Sequence, residues 1–119
     1  MILDCERYAG ACRCGREHTL ETKLVVVDYG CLNDFDRYMD ECGLTGRRTV
    51  LYDTNTYNLP GMVHVRADKE LVLEAKGLHS EKSMIESIIP QLDNPDVIVT
   101  VGSGTLMDFA RYPANELGI

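Results

Sequence analysis

The sequence predicts an α/β fold: a parallel sheet covered by helices on both faces. Three observations predict it. Short β-branched runs alternate with stretches of helical periodicity, and the runs are apolar at consecutive positions, as strands buried on both faces must be. Length is the third: 119 residues suffice for one core, a chain of this size burying roughly 65% of its extended surface on folding.

Residues 1–22 read as an irregular segment with three of the five cysteines, and 23–119 as the α/β domain. Lys23–Tyr29 reads as a buried strand, a β-branched run closed by Gly30. From Leu32 the apolar residues Leu32, Phe35, Met39 and Cys42 recur at helical spacing, and Gly43 supplies a left-handed stop. Thr49–Asp53 is a second strand ending at an acidic residue. Residues 56–67 give no clear signal, and the alternation of Leu71, Leu73 and Ala75 predicts a strand over Leu71–Ala75. Ser80 can cap a helix whose apolar face is Met84, Ile85, Ile88, Ile89 and Leu92, with Pro90 kinking or ending it. Asn94-Pro95 marks a turn. Val97–Val101 is the clearest strand, and the helix after it carries Leu106, Phe109, Ala110 and Leu117 on one face before Gly118 stops it.

Composition narrows the partners. The 45% hydrophobic and 26% charged residues are an ordinary globular mix. A formal net charge of −7 makes nucleic acid and anionic membranes poor partners, because both require a cationic face. Neither Leu24–Val27 nor Val97–Val101 is long enough to cross a bilayer. Met1-Ile2-Leu3-Asp4 lacks the basic and apolar stretches of a signal peptide, so a cytoplasmic chain with reduced thiols is expected.

The segment that carries chemistry follows the last strand. Gly102-Ser103-Gly104-Thr105 stands where a strand gives way to a helix. At such a point glycine lets the backbone approach a pyrophosphate, and the helix N-terminus supplies N–H donors and about half a positive charge. A net-acidic chain can hold a dinucleotide this way. The fingerprint is partial, since Met107 stands where a third glycine would. The same residues fit a ligand-free strand-to-helix turn, with Thr105 as N-cap and Asp108 closing a capping box.

Val101-Gly-Ser-Gly-Thr-Leu-Met-Asp-Phe-Ala-Arg-Tyr112 resembles the corresponding segment of the dehydroquinate synthase and iron-containing alcohol dehydrogenase superfamily. Cys12-Arg-Cys-Gly-Arg-Glu-His18, Asp53-Thr-Asn-Thr-Tyr57 and Arg111-Tyr-Pro-Ala-Asn-Glu-Leu-Gly-Ile119 are similar to the sn-glycerol-1-phosphate dehydrogenase branch. The resemblance spans residues 12–119 and implies a Rossmann-like N-terminal domain, incomplete at its C-terminal end. It implies NAD or NADP as cofactor, with Gly102, Ser103 and Gly104 against the pyrophosphate and Thr105 hydrogen-bonded to it. Asp108 would lie near the nicotinamide side and Asp53 would face the adenosine ribose, with Asn55 and Tyr57 as weaker candidates. A carboxylate at Asp53 would accept the ribose hydroxyls and repel a 2′-phosphate; alternatively it is an ordinary turn residue.

The implied activity is oxidation of glycerol 1-phosphate or a related polyol, a step of phospholipid metabolism, in a homo-oligomeric enzyme. The family's divalent metal (zinc, nickel or iron) is held by an aspartate and two histidines that His18, His64 and His79 do not match. The catalytic half is therefore expected outside these residues, and the chain alone is expected to be inactive. A glycerol dehydrogenase-like or dehydroquinate synthase-like relative, and a stand-alone nucleotide-binding or interaction module, remain the alternatives.

Cys5, Cys12, Cys14 and His18 could suggest zinc, but C-x-C is shorter than the C-x₂₋₄-C spacing of structural sites, so ordinary thiols are expected.

Overall fold

A computed structural model describes residues 1–119. The chain divides into two compact units, Met1–Gly43 and Leu44–Ile119.

The N-terminal unit is built from short elements. Strand β1 (Ile2–Leu3) pairs antiparallel with β4 (Val25–Val26), and β2 (Gly10–Ala11) pairs antiparallel with β3 (Glu17–His18). The long buried strand expected over Lys23–Tyr29 is thus only two residues, and it lies in this unit, not in the parallel sheet. A ladder can be no longer than its partner, and β1 offers only Ile2 and Leu3, extended by Val27 N–H donating to the Met1 carbonyl at 2.7 Å. Beyond it Val27 and Tyr29 are 58% and 102% exposed. The helical spacing from Leu32 resolves into a 3₁₀ turn at Cys31–Asp34 and helix α1 (Phe35–Glu41), which buries Met39. Gly43 follows at φ +71°, the left-handed stop its position predicted.

The Leu44–Ile119 unit is α/β, with three parallel strands in the order β6-β5-β7: β5 (Arg48–Asp53), β6 (Lys69–Leu73) and β7 (Val97–Val101). Central β5 is buried along its whole length, whereas β6, at one edge, alternates half-buried and exposed residues. The strand expected to reach Ala75 stops at Leu73. There its partner β5 turns into the single-turn helix α2 (Thr54–Tyr57), and the Ala75 N–H donates instead to the Thr54 hydroxyl at 3.0 Å.

Helices α3 (Lys82–Ile88) and α4 (Gly104–Leu117) both pack with the Leu51 side of the sheet, so within this unit the long helices stand on one face and not on both as expected. Ile85 and Ile88 from α3, Leu92 after it, and Leu106 and Phe109 from α4 close a core around Leu51. At about 25 cal/mol per Å², each such side chain contributes roughly 1.5–3 kcal/mol on burial. The Ser80 cap is not formed. The Glu81 N–H donates to the His79 carbonyl, which shifts the helix start to Lys82 with Glu81 at the cap position and no side-chain bond there. Pro90 sits in a 3₁₀ turn (Ile89–Gln91) that ends α3, as a residue without an N–H should. Leu117, expected on the buried face of α4, is 42% exposed, because burial along that face ends near Pro113.

On the opposite face Tyr52 is fully buried. Its ring meets Tyr57 edge-on at 5.2 Å and His64 at 5.3 Å, and its hydroxyl accepts the Val65 N–H at 3.1 Å. This accounts for the stretch 56–67 that the sequence left open. Outside α2 it is irregular chain that covers Tyr52. No helix is long and apolar enough to cross a membrane.

Candidate functional site

Parallel strands β5 and β7 are neighbours, so Asp53 at the end of one and the residues after Val101 at the end of the other emerge side by side. A cavity of about 350 Å³ opens there, lined by Asp53, Asn55, Thr56, Ala75, Leu78, Ser103 and Thr105. Four residues singled out from the sequence, Asp53, Asn55, Ser103 and Thr105, therefore share one wall system. Thr56 joins them unforeseen. The signal for it was local, since an aspartate three residues before a threonine at a strand end places the latter's N–H within reach of the carboxylate.

Asp53 is 7% exposed, and its Oδ1 accepts the Thr56 N–H at 2.7 Å, capping α2. One oxygen of the carboxylate is thus engaged by the fold. A carboxylate accepts up to about four hydrogen bonds, so capacity remains toward the cavity.

The two loop glycines differ. A β-carbon on Gly102 would stand 2.8 Å from Leu106 Cδ2, 3.2 Å from Thr56 Oγ1 and 3.4 Å from Asp53 Oδ2. A side chain there would press on the buried Leu106, so the protein's own packing favours glycine at this position. Around Gly104 a β-carbon would meet nothing within 4 Å. Gly104 opens α4, whose first N–H groups have no intrahelical carbonyl to pair with.

The capping box predicted for Thr105 and Asp108 is absent. The helix begins two residues earlier than that box needs, with extended Ser103 at the cap position and no side-chain hydrogen bond there. Thr105 is thereby left lining the cavity. Asp108, half-buried one turn along α4, is not among the lining residues. Tyr57 points elsewhere, stacking on His64 with ring centroids 4.3 Å apart. A hydrogen bond with Glu70, and that carboxylate's charge, raise the Tyr57 phenol above its ordinary pKa.

A second group of chemically active side chains lies in the N-terminal unit. Ligand atoms of Cys12, Cys14 and His18 all lie within 4.8 Å of one another, and Cys14 Sγ is 3.3 Å from His18 Nε2. The Cys14 backbone N–H donates to Cys12 Sγ at 3.5 Å. That bond, followed by one from the Cys14 side chain, holds the Cys12 thiol below its ordinary pKa against a small opposing desolvation. All five cysteines are free.

Comparison with protein-family models, with curated proteins and with solved structures yields no match.

Proposed function

We propose that the Leu44–Ile119 unit is a Rossmann-like, dinucleotide-binding part of an NAD(P)-dependent dehydrogenase of the sn-glycerol-1-phosphate dehydrogenase kind, acting on a glycerol-phosphate-like polyol. The observation that carries this reading is the cavity at the carboxyl ends of adjacent parallel strands, lined by Asp53, Asn55, Ser103 and Thr105. Ligands of open parallel sheets bind at that end. Support also comes from Gly104, whose missing side chain answers to no contact of the protein itself and so leaves the start of α4 open to a phosphate.

In this reading the first N–H groups of α4 and the Thr105 hydroxyl hold the pyrophosphate, and the free lone pairs of Asp53 accept ribose hydroxyls. When bound, the oxidised cofactor accepts a hydride from the secondary alcohol carbon. The residues of this chain bind and orient it.

The resemblance also implies a metal, but the residues of this unit do not fit one. His64 is engaged with Tyr57 and Tyr52, and no three His, Cys, Asp or Glu side chains of Leu44–Ile119 converge.

A second reading is a unit without chemistry, in which the loop is a packing turn. Gly102 and the Asp53 cap favour it, since both are explained by internal contacts. Titration calorimetry of the full chain with NADH and NADPH separates the two. We expect weak binding of either cofactor to the natural chain and none to Gly104→Val, whose β-branched side chain would fill the phosphate's space. Equal affinity of the two proteins, or no binding to either, removes the dinucleotide reading.

A further inference from the structure

We propose that Cys12, Cys14 and His18 form a binding site for one thiophilic divalent cation of the zinc type, held by three protein ligands with its fourth position open to solvent. Nothing in the nucleotide reading bears on it; the site lies wholly within the N-terminal unit.

The geometry starts from the hairpin. The β2–β3 pairing sets Gly10 opposite His18 and Ala11 opposite Glu17. Past it the Cys12 N–H donates to the Arg16 carbonyl and the Gly15 N–H to the Cys12 carbonyl, each at 3.0 Å. This tight turn brings Cys14 back over the base of the hairpin, where its sulfur meets the His18 ring. Residues four positions apart on opposite sides of the turn thus become neighbours, which no reading of spacing alone would show.

In a tetrahedral site with Zn–S near 2.3 Å and Zn–N near 2.0–2.1 Å, neighbouring donor atoms stand about 3.5–3.8 Å apart. The Cys14–His18 pair, at 3.3 Å, stands just inside that separation, and the widest pair is no more than 4.8 Å. Closing it asks for side-chain movements of about 1 Å in two exposed residues, Cys14 and His18, and half-buried Cys12, within rotamer freedom.

The short C-x-C spacing weighs against a closed structural site, which needs four protein ligands in tetrahedral array. It does not weigh against a three-ligand site, whose fourth position is left to water or another donor. Two soft thiolates and one imidazole select zinc over calcium or magnesium, which take oxygen ligands. The surroundings fit a charged sulfur pair. The Cys14 N–H points at Cys12 Sγ, a bond to the sulfur of the kind that tunes thiolate ligands. Arg7 and Arg13 line the same cavity as Cys12 and His18. Cys5, although in the same unit, bonds to the Leu3 carbonyl and stands outside the group.

The test uses the full chain, reduced and stripped of metal, titrated anaerobically with cobalt(II) as spectroscopic probe. We expect a thiolate-to-cobalt charge-transfer band that saturates at one equivalent and is abolished by one equivalent of zinc(II). Cys12→Ser, Cys14→Ser and His18→Ala should each weaken binding by at least about 100-fold, the upper range already seen for second-sphere changes. Cys5→Ser and Cys31→Ser should bind as the natural chain does. Because a substitution in so small a hairpin could unfold it, the natural chain carries a second measurement. One equivalent of zinc should slow alkylation of Cys12 and Cys14 by on the order of tenfold, since a bound thiolate is no longer a free nucleophile, and should leave Cys31 and Cys42 unchanged. Absence of the charge-transfer band, its survival in Cys14→Ser, or unaltered alkylation of Cys12 and Cys14 would overturn the proposal.

Discussion

A β-carbon on Gly102 would stand 2.8 Å from Cδ2 of Leu106, a fully buried core residue, although Gly104, two residues on, faces open space. The pair of glycines that looks uniform in sequence is therefore divided between packing and access. Gly102→Ala should destabilise the protein by about 1–3 kcal/mol through overpacking. Gly104→Ala should change stability by no more than about 1 kcal/mol, in the stabilising direction, because alanine loses less entropy than glycine in a helix. Urea denaturation of both variants checks this; equal losses would contradict the packing contrast.

Asp53 can be asked about its two roles separately. Asp53→Ala removes the acceptor of the Thr56 N–H and should cost about 1 kcal/mol, the usual value of a lost N-cap. Asp53→Asn keeps an acceptor and should retain most of that stability while losing the charge. If the carboxylate also faces a ribose, the natural chain should prefer NADH to NADPH. Both variants should narrow the gap, by on the order of 1 kcal/mol for one partly exposed charge pair. A preference unchanged in Asp53→Asn would leave this residue as a cap alone.

Tyr52 supplies the acceptor for a buried backbone donor. Tyr52→Phe keeps the ring and its contacts with Tyr57 and His64 but strands the Val65 N–H. The expected loss is about 1–3 kcal/mol, the cost of a buried donor without a partner, read as a lower denaturation midpoint at unchanged slope. No loss would mean that water reaches Val65.

Acid sensitivity should run in part through Asp68. The Arg48 N–H, bonded to its Oδ2 at 2.8 Å, lowers its pKa, and Arg66 nearby adds to this. A depressed carboxylate pKa contributes stability that is present above the unfolded value, about 3.9, and is lost as pH falls through the folded value. Asp68→Asn should flatten the stability profile below about pH 4 and leave the slope of its neutral region unchanged. Profiles of the two proteins that run parallel below that pH would remove Asp68 from the acid transition.

The sequence by itself determined the elements whose signal is local and repeated. The β-branched run Val97–Val101, the strand ending at Asp53, the apolar stripe Ile85–Ile88–Leu92 and the glycine stops at 43 and 118 were legible because period, burial and backbone handedness are written along the chain. The acidic strand end and the glycine loop could be named as candidates for the same reason. Tertiary structure alone decided what meets what. Lys23–Tyr29 carries the same β-branched signal as Val97–Val101, yet pairing with a two-residue partner limits it to Val25–Val26, because a strand is defined by the backbone beside it. Gly102 and Gly104 are equivalent as letters and opposite in role, since only the folded chain brings Leu106, Thr56 and Asp53 against one of them. Cys12, Cys14 and His18, whose C-x-C spacing argued against a structural zinc site, are brought within 4.8 Å of one another by a hairpin turn. Periodicity reports which face is buried; convergence of side chains depends on long-range pairing and turn geometry, which no local pattern encodes.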